Sequence, residues 1–214
     1  MLDETSYPYL QAHSTSPGEA LDWVVKQTHL RTNHARMLTG SVQGQFLKMM
    51  VEAARPSRIL EIGTFTGYSA ICMALGMGKD CTLDALEIND ELEDLILEGF
   101  ERSGRGGSMR LHIGDAKDTL RRFREEGASF DFVYMDANKR EYPEYYGLVM
   151  DMLAPGGWIL ADNVLWDGKL WQDPMPQDAQ TLAIHRFNET VAGDPRVECT
   201  MIPVRDGLYL IRKK

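Results

Sequence analysis

The chain has 214 residues, of which 43% are hydrophobic and 26% charged, a composition typical of a globular domain and not of a disordered chain. Its formal net charge of -9 excludes a generally basic surface, so no nucleic-acid partner is expected. No stretch approaches the roughly 20 apolar residues of a membrane-spanning helix, so no membrane partner is expected either.

The cysteines show neither the spacing of a zinc site nor that of a disulfide framework. Cys72, Cys81 and Cys199 are odd in number and lie among apolar residues. We interpret them as buried thiols of a reducing compartment, which makes the cytoplasm the expected location. The stretch 1–6 has neither the basic start nor the apolar run of a signal peptide.

Two helical segments come first in the chain. Apolar residues recur at helical spacing over 20–28 and over 43–54, and Pro56 ends the second segment. The predicted organisation is one domain over 1–214, with a helical cap at 1–55 and a Rossmann-like core at 56–214.

After Pro56, short apolar runs alternate with helical segments. Strands are predicted at 58–62, 81–87, 109–113, 130–135 and 158–161. Helices are predicted after them, at 68–77, 90–103, 116–126, 142–153 and 180–191. Two last runs, 197–202 and 208–211, have only the turn Arg205-Asp206-Gly207 between them and indicate a hairpin. The fold class is therefore α/β, a doubly wound seven-stranded sheet that is mostly parallel with a C-terminal antiparallel hairpin.

A glycine-containing loop follows the first strand, in the segment Glu61-Ile-Gly-Thr-Phe-Thr-Gly67. Gly63 and Gly67 let the backbone turn sharply and approach a ligand, but the full glycine pattern of dinucleotide enzymes is absent. An acid at Glu61 suits a ligand with a positive sulfonium and a zwitterionic end, which is S-adenosylmethionine. A glycine-rich turn is also a common connector, so this loop alone decides little.

Acidic residues end the next two strands. Glu87 can accept both ribose hydroxyls of a nucleoside, and Asp115-Ala116 can meet the adenine edge. Each acid alone is more often a helix cap. Because ligands bind at the carboxyl ends of the strands in such sheets, three features at successive strand ends favour a cofactor site.

Oxygen ligands follow the fourth and fifth strands. If these strands are neighbours, Asp136 converges with Asp162 and Asn163 on one point, forming an all-oxygen site. Such a site favours Mg²⁺, with Mn²⁺ or Ca²⁺ as alternatives, over zinc. The alternative, in which Asp162-Asn163 turns the chain and Asp136 caps a helix, has about equal weight from composition alone.

Five motifs in this order resemble the cation-dependent O-methyltransferases, the family of caffeoyl-coenzyme A and catechol O-methyltransferases. They are Met37-Leu-Thr-Gly-Ser-Val-Gln-Gly-Gln-Phe-Leu47, Glu61-Ile-Gly-Thr-Phe-Thr-Gly-Tyr-Ser69, Asp136-Ala-Asn-Lys139, Asp162-Asn-Val-Leu-Trp-Asp-Gly168 and Pro203-Val-Arg-Asp-Gly207. The resemblance runs from about residue 37 to the C-terminus, and the ordered set is far more specific than any one motif.

The resemblance implies a role for individual positions. Lys139 matches the general base, and Asp136 takes part in catalysis with it. The metal ligands are Asp136, Asp162 and Asn163. The cofactor-binding positions are Thr39, Glu61, Gly63, Thr64, Ser69, Glu87, Asp115, Ala116, Asp136 and Asn138. The substrate-contacting positions are Asp136 and Asp167, and Met37 and Trp166 are further substrate candidates from their side chains alone.

This chain departs from the family pattern at three positions. Glu87 replaces the usual Asp and still reaches a ribose, whereas Asn138 replaces a charged residue that contacts the cofactor. Asp167 stands where the family has Asn, which puts its substrate role in question. Trp171 and Tyr142 join Met37 and Trp166 as side chains that either wall an aromatic substrate or simply pack, and 165–177 is a candidate lid.

The expected function is metal-dependent transfer of a methyl group from S-adenosylmethionine to a catechol-like small molecule or its ester. The alternatives are a nicotinamide-dependent dehydrogenase and a non-catalytic cofactor-binding protein on the same fold. The expected small-molecule partner is the aromatic diol. A second copy of the chain is also expected, because the cap has more apolar surface than one domain needs to cover.

Overall fold

The structure is a computed structural model, and it describes residues 6–214. Residues 1–5, which begin both the predicted cap and the stretch predicted to be no signal peptide, lie outside the described residues. Within 6–214, no helix combines the length and the apolar character needed to cross a membrane.

Helices and strands alternate after a helical start. The α-helices are α1 (Tyr7–Ala12), α2 (Glu19–Arg31), α3 (Ser41–Ala54), α4 (Tyr68–Gly76), α5 (Glu93–Arg102), α6 (Ala116–Glu125), α7 (Tyr142–Met152) and α8 (Ala179–Ala192). The strands are β1 (Arg58–Ile62), β2 (Thr82–Glu87), β3 (Met109–Ile113), β4 (Phe130–Met135), β5 (Leu153–Asp162), β6 (Val197–Ile202) and β7 (Leu208–Lys213).

The strands form one seven-stranded sheet in the order β3-β2-β1-β4-β5-β7-β6. The pairs β1–β4, β2–β3 and β4–β5 are parallel, whereas β7 pairs antiparallel with both β5 and β6. The predicted fold class is thereby confirmed, including the C-terminal hairpin. The strand order reverses between β1 and β4, which is where ligands bind in sheets of this type.

Three elements differ from the prediction. Strand β5 begins at Leu153, five residues before the predicted start. Gly156 adopts φ 79° after Pro155, and the β4–β5 register shifts there, so the strand continues through this segment. Helix α1 is only six residues long, too short for a periodic signal. The candidate lid contains short 3₁₀ turns over Trp166–Trp171, with a kink at Asp167 and Gly168.

The chain divides into two compact units, and the prediction of one domain stays a prediction. The first unit comprises Met1–Arg58 and Thr64–Gly114, and it contains the predicted cap. Here α3 approaches α4 closely at Gly44, where an added Cβ would lie 2.6 Å from the Cys72 sulfur. Glycine is therefore needed at this helix crossing.

A buried carboxylate ties three strands together in the first unit. Asp84 on β2 is 1% exposed and lies 2.8 Å from Arg58 Nε on β1 and 2.8 Å from His112 Nε2 on β3. Burial alone would raise the pKa of this carboxyl, but hydrogen bonds from His112 and Arg58 outweigh burial and hold the pKa below its usual range.

The second unit comprises Ile59–Gly63 and Asp115–Lys214. Its β4 is apolar and buried almost throughout, as expected for a parallel strand covered on both faces. Phe187 of α8 makes edge-on ring contacts with Tyr142, Tyr146 and Tyr209, which join α7 and β7 to α8.

The prediction of buried thiols is right for Cys72 and Cys81 and wrong for Cys199, and no disulfide joins the three cysteines. Cys199 is exposed because it lies on β6, the last strand of the sheet, where several successive residues face water. Its sulfur lies 3.3 Å from the Tyr209 hydroxyl.

Candidate active site

The loop that follows β1 is held by Glu87 within the first unit. The amide of Phe65 donates to Glu87 Oε2 at 2.6 Å, and that of Asn89 donates to Oε1 at 2.9 Å. The amide of Thr64 donates to the carbonyl of Leu86 at 3.1 Å. Because both carboxylate oxygens accept from the backbone, the direction in which Glu87 points is set by the chain itself.

The conformation of this loop explains its residue choice. Phe65 has φ 52° and Gly67 has φ 86°, so the chain passes twice through the left-handed region before α4 begins. Thr66, which sequence reasoning missed, accepts a 2.9 Å hydrogen bond from the Thr28 hydroxyl of α2. Four predicted cofactor-binding residues of the first unit are buried polar side chains: Thr39, Thr64, Ser69 and Glu87.

Gly63, in the second unit, lies where β1 and β4 end side by side. Its φ is 91°, and an added Cβ would overlap the Asp136 carbonyl oxygen and lie 2.9 Å from Ala137 Cα. The amide of Asp136 donates to the carbonyl of Ile62 at 2.9 Å and continues the strand pairing past the sheet. The protein's own backbone therefore requires glycine here, whether or not a ligand also approaches. Glu61, on β1, is fully buried.

Lys139 is the centre of a buried polar cluster at the end of β4. Its Nζ lies 2.7 Å from Asp136 Oδ1 and donates to the Tyr142 hydroxyl at 2.6 Å. Only 8% of Lys139 is exposed. The lysine occupies a 3₁₀ turn that Asn138 caps, through a 3.2 Å hydrogen bond from the Arg140 amide.

Asp162 joins this cluster from the end of β5. Its Oδ2 accepts from the Tyr134 hydroxyl at 2.7 Å, and its backbone oxygen lies 2.9 Å from the Tyr142 hydroxyl. The structure thus brings Asp136, Lys139 and Asp162 to one cluster that also contains Tyr134 and Tyr142. Tyr142 is 0% exposed, so the packing interpretation holds for it and it does not wall a substrate.

Both carboxylates act on the same two phenols. Burial, followed by the charges of Asp162 and Asp136, raises the pKa of Tyr134 well above its ordinary value. Burial and the same two charges raise the pKa of Tyr142. Both tyrosines are therefore protonated at neutral pH.

The remaining predicted residues lie on three turns. Asp115 caps α6 by accepting from the Lys117 amide at 2.8 Å, and Ala116 begins that helix. Asn163 follows Asp162 with φ 60°. Its backbone amide donates to Asp162 Oδ1 at 2.8 Å. Trp166 donates its indole N–H to the Thr181 hydroxyl at 3.0 Å.

The other predicted substrate residues face solvent. Asp167 is exposed and donates its amide to Asp206 Oδ1 at 2.6 Å. Met37 and Trp171 are also exposed. Sequence reasoning gave Asp206 no role, although the residue lies in one of the five motifs.

The model of the O-methyltransferase family matches residues 11–214. The chain belongs to the O-methyltransferase family. The match begins well before residue 37, where the resemblance in the sequence motifs starts. This membership argues against the nicotinamide-dependent dehydrogenase.

Relatives of this O-methyltransferase include plant enzymes. It is 35% identical to a caffeoyl-CoA O-methyltransferase of Petroselinum crispum over 188 residues, which cover 83% of this chain and 77% of the relative. It is 33% identical to caffeoyl-CoA O-methyltransferase 2 of Populus trichocarpa, with 100% of this chain and 90% of that protein covered.

Solved structures resemble this O-methyltransferase throughout. The O-methyltransferase TomG of Streptomyces achromogenes, in complex with SAM, superposes with a TM-score of 0.92 at 28% identity, covering 100% of both chains. An O-methyltransferase of Bacillus cereus, in complex with SAH, gives 0.89 at 27% identity, covering 98% of this chain and 97% of the other.

The metal site stays a prediction for this O-methyltransferase. Among residues 6–214, no group of three or more His, Cys, Asp or Glu side chains is arranged to hold a metal ion. The predicted ligands are two carboxylates and one amide, Asp136, Asp162 and Asn163. Because asparagine is not one of those four residue types, that absence does not concern the predicted set. Its donor chemistry suits a hard divalent cation.

Proposed function

We propose that this O-methyltransferase transfers the methyl group of S-adenosylmethionine to one oxygen of a catechol-like small molecule or its ester, with Mg²⁺ bound. The observation that carries the proposal is the buried contact of Lys139 Nζ with Asp136 Oδ1, 2.7 Å apart, at the end of a central parallel strand. The contact places a side-chain amine at the strand end, next to a proposed metal ligand, where a general base would meet the acceptor hydroxyl.

The residues present fit S-adenosylmethionine, which relatives hold as SAM or SAH. When bound, the cofactor supplies an electrophilic methyl group on a sulfonium. Each oxygen of Glu87 accepts one backbone amide and has a further lone pair, so the carboxylate retains acceptors for ribose hydroxyls. Glu61 would balance the cofactor's positive charge, and the turn at Asp115-Ala116 would meet the adenine.

The residues present also fit a divalent cation. Asp136 and Asp162 belong to one buried cluster, in which Lys139 contacts the first and Tyr134 the second, and carboxylate oxygens are the donors that a hard divalent cation prefers. When bound to Asp136, Asp162 and Asn163, the cation would lower the pKa of an acceptor hydroxyl. Manganese and calcium suit the same donors.

The chain's own residues would then handle the proton. In its neutral form, Lys139 Nζ would accept the acceptor's hydroxyl proton and hold it. Asp136 and Tyr142 keep that nitrogen in place, since both lie within hydrogen-bond distance of it. Burial keeps water away from the same nitrogen, so the proton is taken from the acceptor and not from solvent.

The acceptor would lie against Trp166, Asp167 and Met37. The expected acceptors are aromatic vicinal diols, free or as coenzyme A esters. A cytoplasmic location, suggested by cysteines that form no disulfide, and the absence of nucleic-acid and membrane partners remain predictions.

The test is a methyl-transfer screen over catechols and their esters, with Lys139→Met and with a chelator. We expect the variant to lower kcat by at least about 100-fold, because it removes a general base. Dialysis against EDTA should abolish turnover, and Mg²⁺ should restore it. Calorimetry with S-adenosylmethionine should give the same Kd for variant and wild type, because Lys139 is assigned to the acceptor.

The matched control is Lys79→Met, which changes an exposed lysine and should keep full activity. Full turnover by Lys139→Met in the presence of chelator would contradict the proposed mechanism. Cofactor binding without turnover of any acceptor would favour the non-catalytic alternative.

A further inference from the structure

The loop after β5 follows an unusual course. Asn163, Trp166 and Asp167 have φ of 60°, 51° and 52°, and Gly168 continues at 71°. Left-handed backbone is unfavourable for residues with a side chain, and it persists only where surrounding contacts hold it. Contacts with neighbouring elements must therefore maintain this loop.

The β6–β7 turn makes such contacts through backbone and side chain. Asp206 Oδ1 accepts from the Asp167 amide at 2.6 Å, and the Asp206 carbonyl accepts from the Leu165 amide at 2.9 Å. The Gly207 carbonyl accepts from the Val164 amide at 3.3 Å. An added Cβ at Gly207 would overlap Leu165, lying 2.9 Å from its Cδ1, so the turn and the loop are in close contact.

Helix α8 holds the same loop from another side. Asn188 Nδ2 donates to the Val164 carbonyl at 2.8 Å, and Thr181 accepts from the Trp166 indole at 3.0 Å. These contacts fix the start of the loop and one ring. The Asp206 carboxylate is the contact that reaches the backbone of Asp167 itself.

We propose that Asp206 is a positioning residue for the acceptor: by holding the Asp167 amide, it keeps Trp166 and Asp167 in their left-handed course and so selects which acceptor oxygen is methylated. The inference rests on the proposed function, in which Trp166 and Asp167 contact the acceptor. Asp206 itself would touch neither cofactor nor acceptor.

The electrostatic surroundings of Asp206 agree with this role. Burial raises its pKa and the charge of Asp167 adds to that, whereas the hydrogen bond from the Asp167 amide and the positive charges of Lys139 and Lys169 oppose it. Asp206 therefore lies within the electrostatic influence of both the loop and the proposed base.

The kinetic test compares Asp206→Ala with Asp206→Asn. The control is Glu198→Ala, which removes a carboxylate from an exposed position of the same hairpin. Asp206→Ala removes the charged carboxylate that accepts a hydrogen bond from the Asp167 amide. The KM for the methyl acceptor should therefore rise about tenfold, and the ratio of the two O-methyl regioisomers should shift. The Kd for S-adenosylmethionine should not change. Asp206→Asn retains an oxygen that can accept from the Asp167 amide, so its KM and isomer ratio should stay close to wild type.

Hydrogen exchange over 164–168 provides a readout that needs no acceptor. Asp206→Ala should exchange at least about tenfold faster than wild type in this segment, and Asp206→Asn and Glu198→Ala should not. Wild-type exchange, acceptor KM and isomer ratio in Asp206→Ala would overturn the inference. A wild-type protein that methylates no catechol would contradict the proposed function, while the exchange rates still decide whether Asp206 holds the loop.

Discussion

Gly63 occupies a backbone position that a residue with a side chain cannot take unless β4 moves. Its φ of 91° already favours glycine, and the Asp136 carbonyl fills the space where a Cβ would project. The structure shows that it lets the ends of two strands meet, so the fold alone requires this glycine. The predicted approach of a ligand at Gly63 stays a prediction.

Gly63→Ala should lower the free energy of unfolding by about 2–5 kcal/mol, because backbone strain and overlap with β4 add together. Urea denaturation measures this directly. Gly78→Ala is the control, since nothing lies within 4 Å of its added Cβ and the change should stay within about 1 kcal/mol. Equal stability of the two variants would show that β4 yields easily at this point.

Residues whose role depends on local pattern could be predicted from the sequence. Glu87, Asp136 and Asp162 each follow a buried apolar run, so their place at strand ends was visible in the chain. Tyr134 and Asp206 could not be found this way, because their partners are 28 and 39 residues distant. The roles of such residues depend on tertiary contacts that no short motif encodes.

At the scale of elements, the parallel strands agree with the prediction because each is a short apolar run followed by a helix. Strand β5 is the exception. The segment Pro155-Gly156-Gly157 is typical of an interruption between elements. Strand β5 nevertheless pairs with β4 both before and after this segment, with a shift in register between the two parts. Propensity failed there because hydrogen bonds to a neighbouring strand outweighed it.

Asp84 is the residue on which the joining of β1, β2 and β3 can be tested. Asp84→Asn should lower the free energy of unfolding by about 3 kcal/mol at neutral pH, because it breaks a buried ion pair. This value is at the low end of the range for such pairs, since Arg58 and His112 keep some contact with water. Urea denaturation of both proteins checks this, with Asp80→Asn as an exposed control.

The same substitution carries a pH signature. The folded-state pKa of Asp84 lies below the unfolded value of about 3.9, so the carboxylate stabilises the fold above that pH. This contribution disappears as the pH falls through the folded value. Wild type should therefore lose more stability than Asp84→Asn on acidification below about pH 4, and parallel losses would contradict the assignment.

At the scale of the whole molecule, the homodimer remains a prediction. Leu30 on α2 and Met49 on α3 are 69% and 57% exposed, which leaves apolar surface on the predicted cap. Sedimentation should show twice the mass of one chain. Leu30→Glu with Met49→Glu should shift it towards one chain, because a charge disfavours burial at an interface. Leu182→Glu on α8 is the control, and a wild-type monomer would refute the prediction.

The attachment of Glu87 to the amides of Phe65 and Asn89 bears on its proposed contact with a ribose. Both carboxylate oxygens are bonded to the backbone, so the side chain cannot swing aside without breaking a hydrogen bond. If Glu87 accepts the ribose hydroxyls as proposed, a 2′-phosphate would bring its negative charge against this carboxylate. The backbone of the loop would then disfavour nucleosides that carry a phosphorylated ribose.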